Sequence, residues 1–207
     1  EAREVDLTSV KARARIIVAS GAAALIASLA GIAYAHSGAW GPPQKVDEIN
    51  GNSSELNTPH LDGCPIQSPH GLSLYLASNR PGGLGGLDIW VAHRESTDLP
   101  FGAPENLGEP VNSAADDFCP TPVRGGGLYF VSRVITGDSC GLADIYFTRF
   151  NPIHGWVAPE HLACTPEGPN SGLDEMGPSY VEIDGRSLLY FSSSSASVPG
   201  DIYVSEQ

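Results

Sequence analysis

Leu74-Tyr75-Leu76-Ala77-Ser78, followed by Asp88-Ile89-Trp90-Val91, is the couplet whose reading decides the fold. It returns twice. Leu128-Tyr129-Phe130-Val131-Ser132 leads to Asp144-Ile145-Tyr146-Phe147, and Leu189-Tyr190-Phe191-Ser192-Ser193 leads to Asp201-Ile202-Tyr203-Val204. A repeated unit fixes architecture before any single residue is read, because each copy must bury its apolar face against a neighbour. The β-branched and aromatic content of these runs suits the central strands of a sheet.

Working outward, a second fixed pattern precedes each couplet. Asn57/Asp62/Pro65, Asn112/Asp117/Pro120 and Asn170/Glu175/Pro178 keep the same offsets in all three units. Glycine-bearing turns at His70-Gly71, Gly125-Gly126-Gly127 and Asp184-Gly185 then lead into the Leu-Tyr strand. A third pattern sets an aromatic, a proline and an aliphatic residue at even spacing: Trp40/Pro43/Val46, Phe101/Pro104/Leu107 and Trp156/Pro159/Leu162. Proline cannot donate to a ladder, so this element is expected at the sheet edge as an outermost strand.

Four short strands per unit predict an all-β protein, a β-propeller with at least three four-stranded antiparallel blades. The blades fall at about 57–107, 112–162 and 170–207, with 40–46 as a closing or extra outer strand. After Ala35 no segment sustains a helical apolar period, so helices should be scarce. Rings usually hold roughly four to eight blades, so three point to a truncated sequence or to self-association.

These residues carry a resemblance. Ser68-Pro69-His70-Gly71-Leu72-Ser73-Leu74-Tyr75, with Ser78-Asn79-Arg80-Pro81-Gly82-Gly83, resembles the WD-repeat-like propeller repeat of TolB-type periplasmic proteins. His70 stands where that repeat usually has Asp. The third unit keeps Asp184-Gly185 but carries Ser192-Ser193-Ser194-Ser195 in place of the Arg and the Gly pair. The resemblance spans 40–207 and implies a scaffold that binds other proteins or ligands, since such folds host many functions.

Lys11, Arg13 and Arg15 precede an apolar run from Ile16 to Ala35 that ends Ala33-Tyr34-Ala35. A basic region, an apolar stretch and a small-x-small site together read as a secretory signal over 1–35, forming an apolar helix and cleaved before His36. An uncleaved anchor is the alternative, and the only membrane contact expected. The chain starts at Glu1 instead of Met, and Val10, just before the basic cluster, is a candidate alternative start. The expected location is therefore periplasmic, cell-envelope or extracellular.

Cys64, Cys119, Cys140 and Cys164 all lie beyond the signal. An even number in an exported chain predicts two disulfides, with three pairings open. Cys64–Cys119 and Cys140–Cys164 are preferred, because they join neighbouring positions. A zinc site would lack any Cys-x-x-Cys pair.

A formal net charge of −13 repels phosphate backbones, so nucleic acid is not an expected partner. Asp62, Asp117 and Glu175 are the candidate ligand carboxylates, placed at the start of each inner strand around a central channel. Such a ring could hold a cation or a basic ligand, or act as an acid/base pair on a sugar. The competing reading is that each acid caps backbone N–H groups of its own turn. Identical placement in every unit favours capping, because catalysis needs carboxylates in different roles. Asp88, Asp144 and Asp201 are expected to bond within the loop before the third strand.

The six His residues show no metal-ligand spacing, and no Gly-x-Ser-x-Gly elbow occurs. Gly82-Gly83-Leu84-Gly85-Gly86 lacks the Lys-Ser/Thr ending of a phosphate loop. No catalytic residue, metal or cofactor is assigned. The leading expectation is a non-enzymatic, exported propeller that binds a protein or envelope component. A glycan-binding or glycan-hydrolysing propeller is the alternative.

Overall fold

The computed structural model describes residues 40–49 and 51–207. The expected signal segment and the candidate start at Val10 lie outside the described residues. Among the described residues, every strand belongs to the unit Gln44–Gln207.

Three antiparallel sheets follow one another along the chain. The first contains β1 (Asp62–Gln67), β2 (Ser73–Ser78), β3 (Asp88–His93) and β4 (Glu105–Asn106), side by side in that order. The second contains β5 (Asp117–Val123), β6 (Gly127–Ser132) and β7 (Asp144–Asn151). Two short strands, β8 (Gly155–Trp156) and β9 (Glu160–His161), both pair with β7. The third contains β10 (Asp174–Ile183), β11 (Arg186–Ser194) and β12 (Asp201–Glu206). Among the described residues the one helical element is a 3-10 turn at Val46–Glu48.

The repeated couplets pair in register. Leu76 faces Trp90, Phe130 faces Tyr146, and Phe191 faces Tyr203 across the middle strands. The apolar clusters then bridge one sheet to the next. Ile89 of β3 packs with Val111, Leu128, Phe130 and Tyr146. Ile145 of β7 packs with Leu189 and Phe191 of β11. The first and second sheets therefore each bury their third strand against the following sheet, as layered sheets must.

Each inner strand carries a bulge, between Gly63 and Ile66, Phe118 and Thr121, and Met176 and Ser179. The residue there has positive φ: 46° at Cys64, 47° at Cys119 and 60° at Gly177. Glycine meets that demand without strain, and the two cysteines hold it under the constraint of their disulfide. Pro65, Pro120 and Pro178 follow directly, at a point where the ladder is already interrupted and a missing N–H does no harm.

Two expectations about edges need correction. Residues 40–46 form no strand, and Val46 instead opens the 3-10 turn. Pro42 and Pro43 offer no N–H to a ladder, and the stretch has no partner strand among the described residues. Among the described residues the third sheet has three strands, not four, while the second has an outer strand split into β8 and β9. The split falls around Pro159, which cannot donate to β7.

Cys64 is bonded to Cys119 and Cys140 to Cys164. The first bridge ties the bulge of β1 to that of β5. The second ties the loop before β7 to the segment after β9. Disulfides persist in oxidising surroundings, so the pair of bridges suits such a compartment.

Candidate functional site

The repeated acids are built into their own turns. Asp62 Oδ2 accepts from the Thr58 N–H at 2.6 Å and the Thr58 hydroxyl at 2.9 Å. Asp117 Oδ2 accepts from the Ser113 N–H at 2.6 Å and its hydroxyl at 2.8 Å. The Glu175 carboxylate accepts from the Ser171 N–H at 3.1 Å and its hydroxyl at 2.5 Å. In all three units the donor lies four residues upstream, which explains the Asn-Ser/Thr that precedes each acid. These are local caps of the kind short polar side chains form.

The second oxygens differ. Asp62 Oδ1 takes the Ser78 hydroxyl at 2.7 Å and Arg80 Nη2 at 2.7 Å. Glu175 Oε1 takes the Ser193 hydroxyl at 2.9 Å. Asp117 Oδ1 is buried and makes no hydrogen bond, although Ser132 occupies the position of Ser78 and Ser193. Asp117 is 1% exposed and Glu175 is 0% exposed, so neither reaches solvent as the wall of an open channel would.

Burial pushes the Asp117 carboxyl above the usual range, against the opposing pull of the Ser113 N–H and hydroxyl; the charge of Asp88 raises it further. Asp62 goes the other way. Burial disfavours its charge, but Ser78, Thr58 and Arg80 together outweigh that and hold its carboxyl below the usual range. The signs are therefore opposite. With a raised folded pKa, Asp117 makes the native state bind more protons than the unfolded chain, so stability gains as pH falls toward the unfolded value of about 3.9. The stability that Asp62 supplies is present above that value and is lost as pH falls through its lower folded pKa. Asp117→Asn removes the first contribution. Urea midpoints of wild type and Asp117→Asn, taken from about pH 7 down to about pH 4, should shift in favour of wild type. Parallel curves would contradict the burial of a charged Asp117.

The repeated Asn holds successive sheets together. Asn112 Oδ1 accepts from the Ile89 N–H at 2.8 Å, and its amide donates to the Ile89 carbonyl at 2.9 Å. Asn170 does the same to Ile145, at 2.7 and 3.0 Å, and also donates to the Leu162 carbonyl at 2.7 Å. Beside them, the Asp117 N–H bonds the Leu87 carbonyl and the Glu175 N–H bonds the Ala143 carbonyl. The sequence marked these Asn residues only by spacing. Their role as brackets depends on a strand of the neighbouring sheet.

Asp88 and Asp144 bond within the loops before their strands. Asp88 accepts from the Leu84 and Gly85 N–H groups, and Asp144 from those of Cys140 and Gly141. Asp201, the third counterpart, is exposed. Asn106 donates to Asp88 Oδ2 at 3.0 Å, and His161 Nε2 lies 3.0 Å from Asp144 Oδ2. His161 is thus the counterpart of Asn106. It brings ligand-type atoms of Cys140, Asp144 and His161 within 4.8 Å of one another, a grouping that linear spacing did not show. The sulfur is bonded to Cys164 and the carboxylate is held by two N–H groups, so these atoms are already engaged within the second sheet and its loops.

A groove of about 430 Å³ lies where the turns of the first two sheets meet. Leu72, Tyr75, Val91, Leu107, Phe150 and Trp156 form its apolar walls. The volume is within the roughly 300–1,000 Å³ of ligand sites. At its edge the Ser73 hydroxyl is 3.0 Å from His93 Nδ1. Among the described residues no carboxylate bonds His93, so the third member of a nucleophilic triad is missing. Sequence reasoning did not find this groove, because its walls come from both sheets and meet only after packing.

No protein-family model matches the sequence, and neither does any curated protein. Among solved structures, an alpha-L-arabinofuranosidase from Lactobacillus brevis is similar at 12% identity and a TM-score of 0.46, over 72% of this chain and 50% of that one. A structure described as a glycoside hydrolase is similar at 11% identity and a TM-score of 0.44, over 65% of this chain and 40% of that one. The chain thus spans half or less of the length of these structures.

Proposed function

We propose that the three sheets are consecutive blades of a TolB-like β-propeller, and that the exported chain is a non-enzymatic scaffold whose groove between the first two blades binds a protein partner. The observation that carries this reading is the state of the repeated acids. Asp117 and Glu175 are sealed within their turns, which leaves the open surface of the groove to apolar side chains. Such a surface recognises a partner by filling, with a small number of polar groups to orient it. The net charge of −13 favours a partner segment whose apolar residues are flanked by basic ones. The basic-then-apolar segment before His36 and the two disulfides support export.

Selection of displayed peptides on the oxidised chain tests this. Binders should be apolar with basic flanks. Leu72→Asp, at an exposed turn position on the groove, should weaken them at least about tenfold, as an uncompensated charge in an apolar contact does. Binders indifferent to Leu72→Asp would move the site elsewhere. Hydrolysis of a glycan panel, abolished by Asp62→Asn, would replace the scaffold with the glycan-active alternative.

A further inference from the structure

The corner before β7 carries side chains that the same corner of the first sheet does without. Asn106 and His161 both meet a loop carboxylate at 3.0 Å, on Asp88 and Asp144 respectively. Leu84 and Cys140 hold the same place, each giving its N–H to that carboxylate. Cys164 lies in the connection from Leu162 to Asn170, which is longer than its counterpart from Leu107 to Asn112. The first sheet completes this corner with Leu84 and Asn106, using neither a histidine nor a sulfur. Cys140, His161 and Cys164 are therefore additions to the shared pattern, and they gather beside one carboxylate.

In sequence they form two short pairs, Cys140-x-x-x-Asp144 and His161-x-x-Cys164, the arrangement by which two chain segments hold a metal. His161 Nε2 faces the Cys140 sulfur at 3.8 Å and Asp144 Oδ2 at 3.0 Å. All three ligand atoms lie within 4.8 Å of one another. Zinc bonds of about 2.0–2.3 Å, arranged tetrahedrally, set ligand atoms roughly 3.3–3.8 Å apart. In a nucleophilic relay the sulfur and the carboxylate would sit on opposite ring nitrogens. Here both face Nε2, as ligands around a shared ion do. The Cys164 sulfur, bonded to that of Cys140, supplies a fourth ligand atom.

We propose that reduction of the Cys140–Cys164 bridge creates a zinc site formed by both thiolates, His161 Nε2 and the Asp144 carboxylate, so that bridge and metal are alternative states of one corner. An external dithiol opens the bridge: it gives two electrons and two protons to the two sulfurs and is itself oxidised to a disulfide. Zinc then displaces the two thiol protons, and the imidazole ligates through Nε2 with its own proton on Nδ1. Two thiolates and an imidazole select zinc over calcium or magnesium. Cys140 and Cys164 are half-buried and pack in none of the apolar clusters among the described residues, whereas Cys64 and Cys119 lie against Ala77, Phe118, Val131 and Ala143. The second bridge is thus the one open to a reductant. The metal keeps the loop before β7 tied to the segment after β9 when the bridge is open.

Cobalt(II) titration of the full chain, reduced with a phosphine under nitrogen, tests this. Tetrahedral cobalt bound to thiolate absorbs visible light, and zinc should displace it. Reduced wild type should take up one equivalent, and the oxidised chain none. His161→Asn installs the residue that serves the first sheet, so the oxidised variant should keep both disulfides. Its reduced form should bind cobalt at least about tenfold more weakly. Cys140→Ser/Cys164→Ser should lose the signal while keeping Cys64 and Cys119. Three results would each overturn the proposal: no uptake by reduced wild type, equal uptake by His161→Asn, or undiminished uptake by the double serine variant. The site is independent of the groove, so peptide binding by oxidised His161→Asn should be unchanged whichever way the titration falls.

Discussion

Replacing Cys64 and Cys119 together by serine should lower the stability of the oxidised chain by about 4 kcal/mol. The two cysteines are 55 residues apart, so their bridge closes a long loop in the unfolded chain and removes much of its freedom. Cys140 and Cys164 are 24 residues apart, and losing that bridge should cost less, about 3.5 kcal/mol. Packing widens the gap. Cys64 and Cys119 lie against the buried cluster of Ala77, Phe118, Val131 and Ala143, where a serine hydroxyl finds a poor environment. Urea unfolding of both double variants without reductant measures the difference. An equal or smaller loss for the Cys64/Cys119 variant would mean that its loop is already restricted in the unfolded chain.

Asn170→Ala should cost about 3–5 kcal/mol, because it strands several groups at once. The side chain is 0% exposed and serves the Ile145 N–H, the Ile145 carbonyl and the Leu162 carbonyl. Each unpaired group in a sealed seam costs roughly 1–3 kcal/mol, and the seam is closed to solvent that could replace the amide. Asn170→Asp should not rescue. It keeps the acceptor for Ile145 but loses both donated bonds and places a charge in the seam. Urea midpoints decide the matter. A loss near 1 kcal/mol for Asn170→Ala would show that the second and third sheets separate without unfolding.

The second strand of each sheet was legible because its pattern repeats with its turn chemistry. Leu74–Ser78, Leu128–Ser132 and Leu189–Ser193 could be placed by aligning the three units, and the proline after each bulge marked where an inner strand is interrupted. Outer strands were less legible. Their signal is one aromatic and one proline, and a strand forms there only where a neighbour accepts it. Phe101–Leu107 and Trp156–Leu162 contain such strands, while Trp40–Val46, with the same spacing, does not.

Site residues divided in the same way. That Asp62, Asp117 and Glu175 recur at one offset pointed to caps, and the cap donors four residues upstream are local in sequence. The bracket made by Asn112 and Asn170 joins residues 23 and 25 positions apart, a side chain in the segment between two sheets and the backbone of the preceding sheet's third strand. Equally hidden were the match of His161 to Asn106 and the groove lined by Tyr75 and Trp156.

By itself the sequence determined the strand repeat, the turn-bound acids and the four cysteines available for pairing, because these depend on spacing and local backbone chemistry. Only the tertiary structure decided which faces are sealed. Ile89, Ile145 and Ile202 occupy one position of one pattern, yet the first two are buried and the third is open. Burial is a property of what packs alongside a strand, and a strand carries the same residues whether or not a neighbour covers it.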